Sequence, residues 1–264
     1  MRKYKLLAAD MDGTLLNDKK EITPKTLASI NRMISNGGVF CLSTGRPLIG
    51  VLKYCEQIKG NIPLILYNGA IVRFSKDSAP IVSRCLSKSQ SESILSVIKQ
   101  HNGIYIFWSN EKVYASVIND ITIKYFAISG ATPILIDDST VIPHGEIIKI
   151  IWFDDNAKLK EYQATLLKEL KDVNYFTSQP TFLEFVSKGI SKAEAMEILG
   201  RHCNIDRSEM IAVGDGCNDI PMLEYAGLGV AMENAEEEVK QICSEITSNN
   251  EEDGVGLLID KYFN

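Results

Sequence analysis

Two aspartates stand one residue apart in Asp10-Met11-Asp12-Gly13-Thr14, directly after the apolar run Leu6-Leu7-Ala8-Ala9. A short apolar run of this kind predicts a buried strand of a parallel sheet, which delivers both carboxylates at its C-terminal end. Open α/β sheets hold their ligands at that end. Placed there, Asp10 can attack phosphorus to give an aspartyl-phosphate, dividing one hard displacement into two easier ones. Asp12, released from strand geometry by Gly13, can protonate the leaving oxygen and later take a proton from water. Two carboxylates facing a phosphate dianion repel it, so the chemistry calls for a cation, and Mg2+ on oxygen ligands is the usual one in phosphoryl transfer. The plainer reading of the same residues is a turn after a strand, since Asp and Gly both favour turns.

A second acidic loop, Gly214-Asp215-Gly216-Cys217-Asn218-Asp219, follows the apolar run Met210-Ile211-Ala212-Val213. Its glycines let the backbone approach a ligand closely. Asp215 and Asp219 could complete an oxygen cage for Mg2+ with Asp10 and the backbone carbonyl of Asp12. The loop lacks the spacing and terminal glutamate of a calcium EF-hand. Between the two acidic loops, Val39 to Leu42 predicts a strand that ends in Ser43-Thr44-Gly45-Arg46-Pro47. Free backbone N–H groups at such a strand-to-helix junction suit an anion, so Thr44 and Gly45 could hold phosphate oxygens; an ordinary helix cap fits the same residues. Ser191 can cap a helix with Lys192 in its first turn, where the helix dipole mildly disfavours a cation. Lys192 is thus either aimed at an anion or a solvated surface lysine.

The elements that must position these residues alternate. Thr23-Pro24 predicts a helix start and Gly37-Gly38 its end. Pro63 to Tyr67 predicts a strand, with Asn68-Gly69 as a turn after it. From about Ser83 the texture changes. Helices are expected at Ser89 to Gln100, Ile118 to Ile128 and Asn156 to Leu170. Strands are expected at Ile104 to Trp108, Lys112 to Ser116, Pro133 to Ile136, Glu146 to Phe153, Val173 to Phe176 and Thr181 to Val186. Strand-helix alternation resumes near Lys188 and runs through a strand at Leu228 to Met232 to a last helix opened near Asp253. The expected fold is α/β, a doubly wound parallel sheet formed by residues 1–82 and 188–264, with residues 83–187 inserted as an α+β unit.

At 264 residues, with 45% hydrophobic and 23% charged residues, the chain can bury one large core or two smaller ones without staples. A net charge of -6 and a pI near 5.3, with no long basic block, argue against nucleic acid or an anionic membrane as partner. The six cysteines, Cys41, Cys55, Cys85, Cys203, Cys217 and Cys243, are scattered and form no metal-ligand pattern, as expected of reduced thiols in a cytoplasmic protein. The apolar run after the basic N-terminus is too short for a signal peptide, and no run approaches a membrane span.

Taken together, Asp10 with Asp12, then Thr44, then Lys192, then Asp215 with Asp219 resemble, in order, the four motifs of the haloacid dehalogenase-like superfamily. The insert between the second and third motifs resembles the type IIB cap of the Cof-like phosphatases, as do the local strings Ser-Thr-Gly-Arg-Pro, Tyr-Asn-Gly-Ala and Ala-Met-Glu-Asn-Ala. The resemblance implies Asp10 as nucleophile and Asp12 as acid and base. It implies Met11, Thr44, Gly45, Arg46, Lys192 and Asn218 around the phosphate. The implied Mg2+ ligands are Asp10, Asp12 through its carbonyl, and Asp215, with Asp219 steering Lys192 or a metal-bound water. Ala193 stands where the family often has glycine.

The expected activity is therefore Mg2+-dependent hydrolysis of a small phosphorylated metabolite such as a sugar phosphate, with the insert closing over the site as a lid. A phosphomutase, or a regulatory protein that binds phosphate without turnover, are the competing classes. Among insert residues, Trp108, Tyr114, Tyr125, Asp137, Asp138 and His144 could face a ligand, although aromatic side chains in such a domain are more often core. His101, His144 and His202 match no motif. Cys217 is either open to alkylation or a packed spectator.

Overall fold

The computed structural model describes residues 3–137, 139–165, 170 and 173–263. In chain order come β1 (Leu6–Ala9), α1 (Pro24–Ser35), β2 (Val39–Ser43), α2 (Leu52–Cys55), β3 (Leu64–Leu66), β4 (Ile71–Arg73) and β5 (Pro80–Ser83). There follow α3 (Lys88–Gln100), β6 (Ile104–Ser109), β7 (Lys112–Ala115), α4 (Asp120–Ser129), β8 (Pro133–Leu135), β9 (Ile147–Phe153), α5 (Asn156–Thr165), β10 (Val173–Gln179) and β11 (Phe182–Ser187). The chain then runs through α6 (Lys192–Cys203), β12 (Met210–Gly214), α7 (Ile220–Tyr225), β13 (Leu228–Met232), α8 (Glu237–Ile242), β14 (Glu245–Thr247) and α9 (Gly254–Tyr262). It divides into two compact units, one of Met1–Arg46, Val51–Val82 and Ser191–Asn264, the other of Pro47–Gly50 and Ser83–Ile190.

The first unit is built on a sheet ordered β14-β13-β12-β1-β2-β3-β4-β5. Its strands run parallel from β14 to β3, and β4 pairs antiparallel with β3. All four residues of β1 are fully buried, as expected of a central parallel strand covered on both faces. The strand numbering climbs outward from β1 in one direction and from β12 in the other. The two neighbours therefore feed their loops to opposite faces and leave a crevice between their C-terminal ends. That crevice is where Asp10 and Asp215 emerge. α1 starts as expected, with the Thr26 N–H donating to Thr23 Oγ1 at 3.1 Å and Pro24 in its first turn.

The second unit carries a sheet ordered β10-β11-β9-β6-β7-β8, antiparallel except for β7 with β8. Side chains alternate between its faces. Phe107, Ile150, Trp152, Leu183 and Phe185 pack with Ile98 of α3 and Leu159 of α5. The opposite face carries Trp108, Phe153 and Phe182, and Tyr125 of α4 lies edge-on to both phenylalanines. Trp108 and Tyr125 are core residues that pair with each other, the indole Nε1 donating to the Tyr125 hydroxyl at 2.8 Å. Tyr114 stacks on Phe107 at 4.8 Å, and His144 Nδ1 is 2.8 Å from Ser91 Oγ. Asp137 caps its own turn by accepting from the Ser139 and Thr140 hydroxyls; Asp138 lies outside the described residues.

Three strands, β4, β5 and β14, have no counterpart in the sequence expectation. At three or four residues each, they are too short to display alternation. The helix expected to reach Leu170 is described as Asn156–Thr165, and 166–169 lie outside the described residues. Among the described residues, no helix is long and apolar enough to cross a membrane.

Candidate active site

Lys192 is the centre of the crevice. Ser191 Oγ accepts from the Glu194 N–H at 3.1 Å and starts α6 so that Lys192 points inward, its side chain wholly buried. The ammonium donates to Asp10 Oδ1 at 2.5 Å, to Asp219 Oδ1 at 2.6 Å and to the Ser43 carbonyl at 3.0 Å. A lysine has three donor hydrogens, and all three are used. Lys192 is thus a buried cross-link between the end of β2 and the loops after β1 and β12, which excludes the solvated-surface reading.

Asp219 is engaged on both oxygens. Its Oδ2 accepts from the N–H groups of Asp215 and Gly216, at 3.0 and 3.1 Å, so it folds its own loop while holding Lys192. Asp215 is anchored from the other side, its Oδ1 accepting from Thr14 Oγ1 at 2.7 Å. Gly13 is required beneath it on two grounds: its φ is +82°, and a Cβ there would sit 2.3 Å from Asp215 Oδ2.

Asp10, Asp215 and Asp219 can each offer an oxygen within 4.8 Å of the others. Burial, reinforced by the Asp219 charge, pushes the Asp10 carboxyl well above its usual range in spite of Lys192. Burial likewise lifts Asp215 to about 6, against the Thr14 hydrogen bond and with the Asp219 charge adding to it. Burial would lower the Lys192 ammonium, but the charges of Asp10 and Asp219 outweigh it and leave it raised. Three carboxylates against one ammonium leave the cluster short of positive charge. A divalent cation on oxygen ligands fits that deficit. Asp10, Asp215 and the Asp12 carbonyl could hold it; among the described residues no donor reaches that carbonyl. With both Asp219 oxygens engaged, Asp219 is better placed to orient Lys192 than to ligate.

The Asp12 side chain turns away from this cluster. Arg46 donates to it from Nε and Nη2, both at 2.7 Å, and Lys20 lies 3.1 Å from Oδ1. Burial acts to raise the Asp12 carboxyl, but Arg46 and then Lys20 prevail and hold it below the usual carboxylate range. Arg46, expected beside the phosphate, is therefore placed on Asp12.

Several donors in the loops after β1 and β2 are unspent. Thr44 Oγ1 accepts from the Arg46 N–H at 3.1 Å, which leaves its own proton to give. Among the described residues the N–H groups of Met11 and Gly45 have no acceptor, and the buried Met11 side chain leaves its backbone as what it can offer. Asn218 Nδ2 is 3.4 Å from Oδ1 of Asn68, which the sequence offers as a turn residue and within the Tyr-Asn-Gly-Ala string, with no role at the site. Its signal was the Asn-Gly pair itself: Tyr67, Asn68 and Gly69 all have positive φ, at 51°, 58° and 109°. Cys217 is exposed, and its thiol, donating to Glu236 at 2.9 Å, is pushed up to about 12 by that hydrogen bond. It is therefore a poor nucleophile near neutral pH.

Comparison with known proteins agrees over nearly the whole chain. A family model described as haloacid dehalogenase-like hydrolase matches residues 7–259. A 5-amino-6-(5-phospho-D-ribitylamino)uracil phosphatase of Bacillus subtilis, YitU, is 31% identical over 98% of this chain and 97% of its own. A haloacid dehalogenase-like hydrolase from Bacteroides thetaiotaomicron superposes with a TM-score of 0.91 at 29% identity, covering 99% of this chain and 100% of that one. TM0651 from Thermotoga maritima gives 0.88 at 31% identity over 98% and 97%. With fold, crevice and acidic cluster on one side and a match over residues 7–259 on the other, the chain belongs to the haloacid dehalogenase-like hydrolases.

Proposed function

We propose that this haloacid dehalogenase-like phosphatase uses Mg2+ and hydrolyses a small phosphorylated metabolite, a sugar or sugar-alcohol phosphate, through an aspartyl-phosphate on Asp10. The observation that carries the reading is the joint placement of Lys192 on Asp10 and of unspent donors at Met11, Thr44 and Gly45 beside it. A phosphoryl group held by those donors would be presented to the Asp10 carboxylate.

Asp10 attacks phosphorus, the bond from phosphorus to the ester oxygen breaks, and Asp12 gives its proton to that oxygen. Water then attacks the aspartyl-phosphate while Asp12 takes up the proton, releasing inorganic phosphate and restoring Asp10. Arg46 and Lys20 hold Asp12 ionised, so to carry the proton that it gives, Asp12 leaves both and takes one up as substrate binds. Lys192 balances charge on the transferring group and keeps Asp10 aligned. Asp10, Asp215 and the Asp12 carbonyl would hold Mg2+, which would supply charge neutralisation there.

Residues 1–82 and 188–264 carry this chemistry in our reading, and 83–187 form the cap that selects the substrate. Support for the substrate class comes from YitU, whose name specifies a phosphate on a ribityl chain.

The test is phosphate release from a panel of sugar phosphates, sugar-alcohol phosphates, nucleotides, flavin mononucleotide and pyridoxal phosphate with Mg2+, using Asp10→Asn as control. Release from a subset, lost in the variant, supports the reading. Conversion of a substrate without phosphate release makes the protein a mutase instead.

A further inference from the structure

We infer that Asn68 is a direct ligand of the transferring phosphoryl group, donating from Nδ2. The inference rests on the proposed phosphatase reading and adds to it a residue from the loop after β3.

Three observations converge on this side chain. Its backbone is locked in place: the Asn68 N–H donates to the Thr44 carbonyl at 2.9 Å, and the preceding Tyr67 N–H donates to the Arg46 carbonyl at 3.2 Å. The loop after β3 is thereby tied to the Thr44-Gly45-Arg46 loop. The lock is costly, because Tyr67 and Asn68 are consecutive non-glycine residues in the left-handed region, at φ 51° and 58°. Such strain persists where the surroundings over-determine it and clusters at ligand clamps. Gly69 closes the turn under similar constraint, since a Cβ there would lie 2.3 Å from the Ser191 carbonyl, the residue that caps the helix of Lys192.

The amide itself stands at the crevice. It lies 3.2 Å from where a Gly45 Cβ would be, so the glycine leaves room for it next to the unspent Gly45 N–H. Its Oδ1 accepts from Asn218 Nδ2 at 3.4 Å. That assignment leaves Nδ2 with two donor hydrogens, and among the described residues neither has an acceptor. The Asn68 amide is thus held between Gly45 of the loop after β2 and Asn218 of the loop after β12, with its donors unspent. A phosphoryl oxygen is the acceptor that this set of donors suits.

Asn68→Gly is the decisive variant: glycine keeps the left-handed backbone and its N–H while deleting the amide. Asn68→Asp keeps the shape and replaces the donors with a negative charge. Turnover of p-nitrophenyl phosphate, inhibition by orthovanadate, binding of inorganic phosphate and thermal midpoint are measured for each against wild type. Losing a hydrogen bond to a charged group should lower kcat/KM and weaken orthovanadate by about 10- to 100-fold in Asn68→Gly, with an unchanged midpoint, and by more in Asn68→Asp. If wild type turns over and Asn68→Gly stays within about twofold of it in both readouts, the inference is overturned while the phosphatase reading stands. A lowered midpoint with unchanged orthovanadate affinity also overturns it, by making Asn68 a structural residue. If Asn68→Gly does not fold, Asn68→Asp decides by the same readouts. Wild type that neither turns over nor binds phosphate rejects the reading and the inference together.

Discussion

Among the described residues, each unit of this protein buries one lysine on carboxylate, and the two clusters are built to different rules. Lys149 in the second unit donates to Glu184 at 3.0 Å, one cation to one carboxylate. Burial alone would lower the Lys149 ammonium, but Glu184 and then the Tyr125 hydroxyl outweigh it and leave it raised. Lys192 in the first unit meets two carboxylates with a third close by. The balanced pair is a closed account of charge within a packed sheet face. The unbalanced cluster retains excess negative charge and unspent donors, a combination that folding alone does not call for. Burial of charge is common to both; imbalance is what marks the site.

The largest effect should come from removing the proposed nucleophile. Asp10→Asn should lower kcat by about 10^4-fold or more while far-UV circular dichroism stays unchanged, and substantial residual turnover would remove Asp10 from its role. Chelation should come next: exhaustive treatment with EDTA should silence phosphate release, and Mg2+ should restore it. Activity that survives chelation would leave the charge deficit without a function.

The lysines themselves give the direct contrast. Lys192→Met should cost about 10^2- to 10^4-fold in kcat/KM, measured on the best substrate of the panel. Lys149→Met should leave kcat/KM unchanged but lower stability by about 3–5 kcal/mol in urea denaturation, because Glu184 is left buried and unpaired. The smallest effect should be that of the double variant Lys149→Met, Glu184→Leu, which removes both charges and should be neutral or mildly stabilising. If Lys149→Met lowers kcat/KM as much as Lys192→Met does, charge balance fails to separate structural from functional clusters in this protein.

What was readable in advance follows from distance along the chain. Asp10, Thr44 and Asp215 directly follow strands that are buried along all or nearly all of their length, so an apolar run ending in a polar residue places each of them at the C-terminal edge of the sheet. The parallel order could be anticipated from strand-helix alternation. Pairings across the fold could not. Nothing local announces that Arg46 reaches back to Asp12, or that Asp219 uses both oxygens within its own loop and on Lys192. The turn at Asn68-Gly69 was legible from the Asn-Gly pair, whereas the neighbours of the Asn68 side chain, Gly45 and Asn218, are set across the fold. In the second unit Trp108 and Tyr125 look available to a ligand until the structure shows each as the partner of the other.

The bond from Thr14 to Asp215 spans 201 residues, and that separation has a consequence for synthesis. β1 emerges first from the ribosome, yet its neighbour β12 and the residues Lys192, Asp215 and Asp219 come only after the whole second unit. A growing chain that ends anywhere before α6 carries Asp10 and Thr44 without their counter-charge or the second acidic loop. Under the proposed mechanism, no such partial product could be a partial catalyst. Competence arrives late and at once, when β12 pairs with a central strand that has been waiting for it.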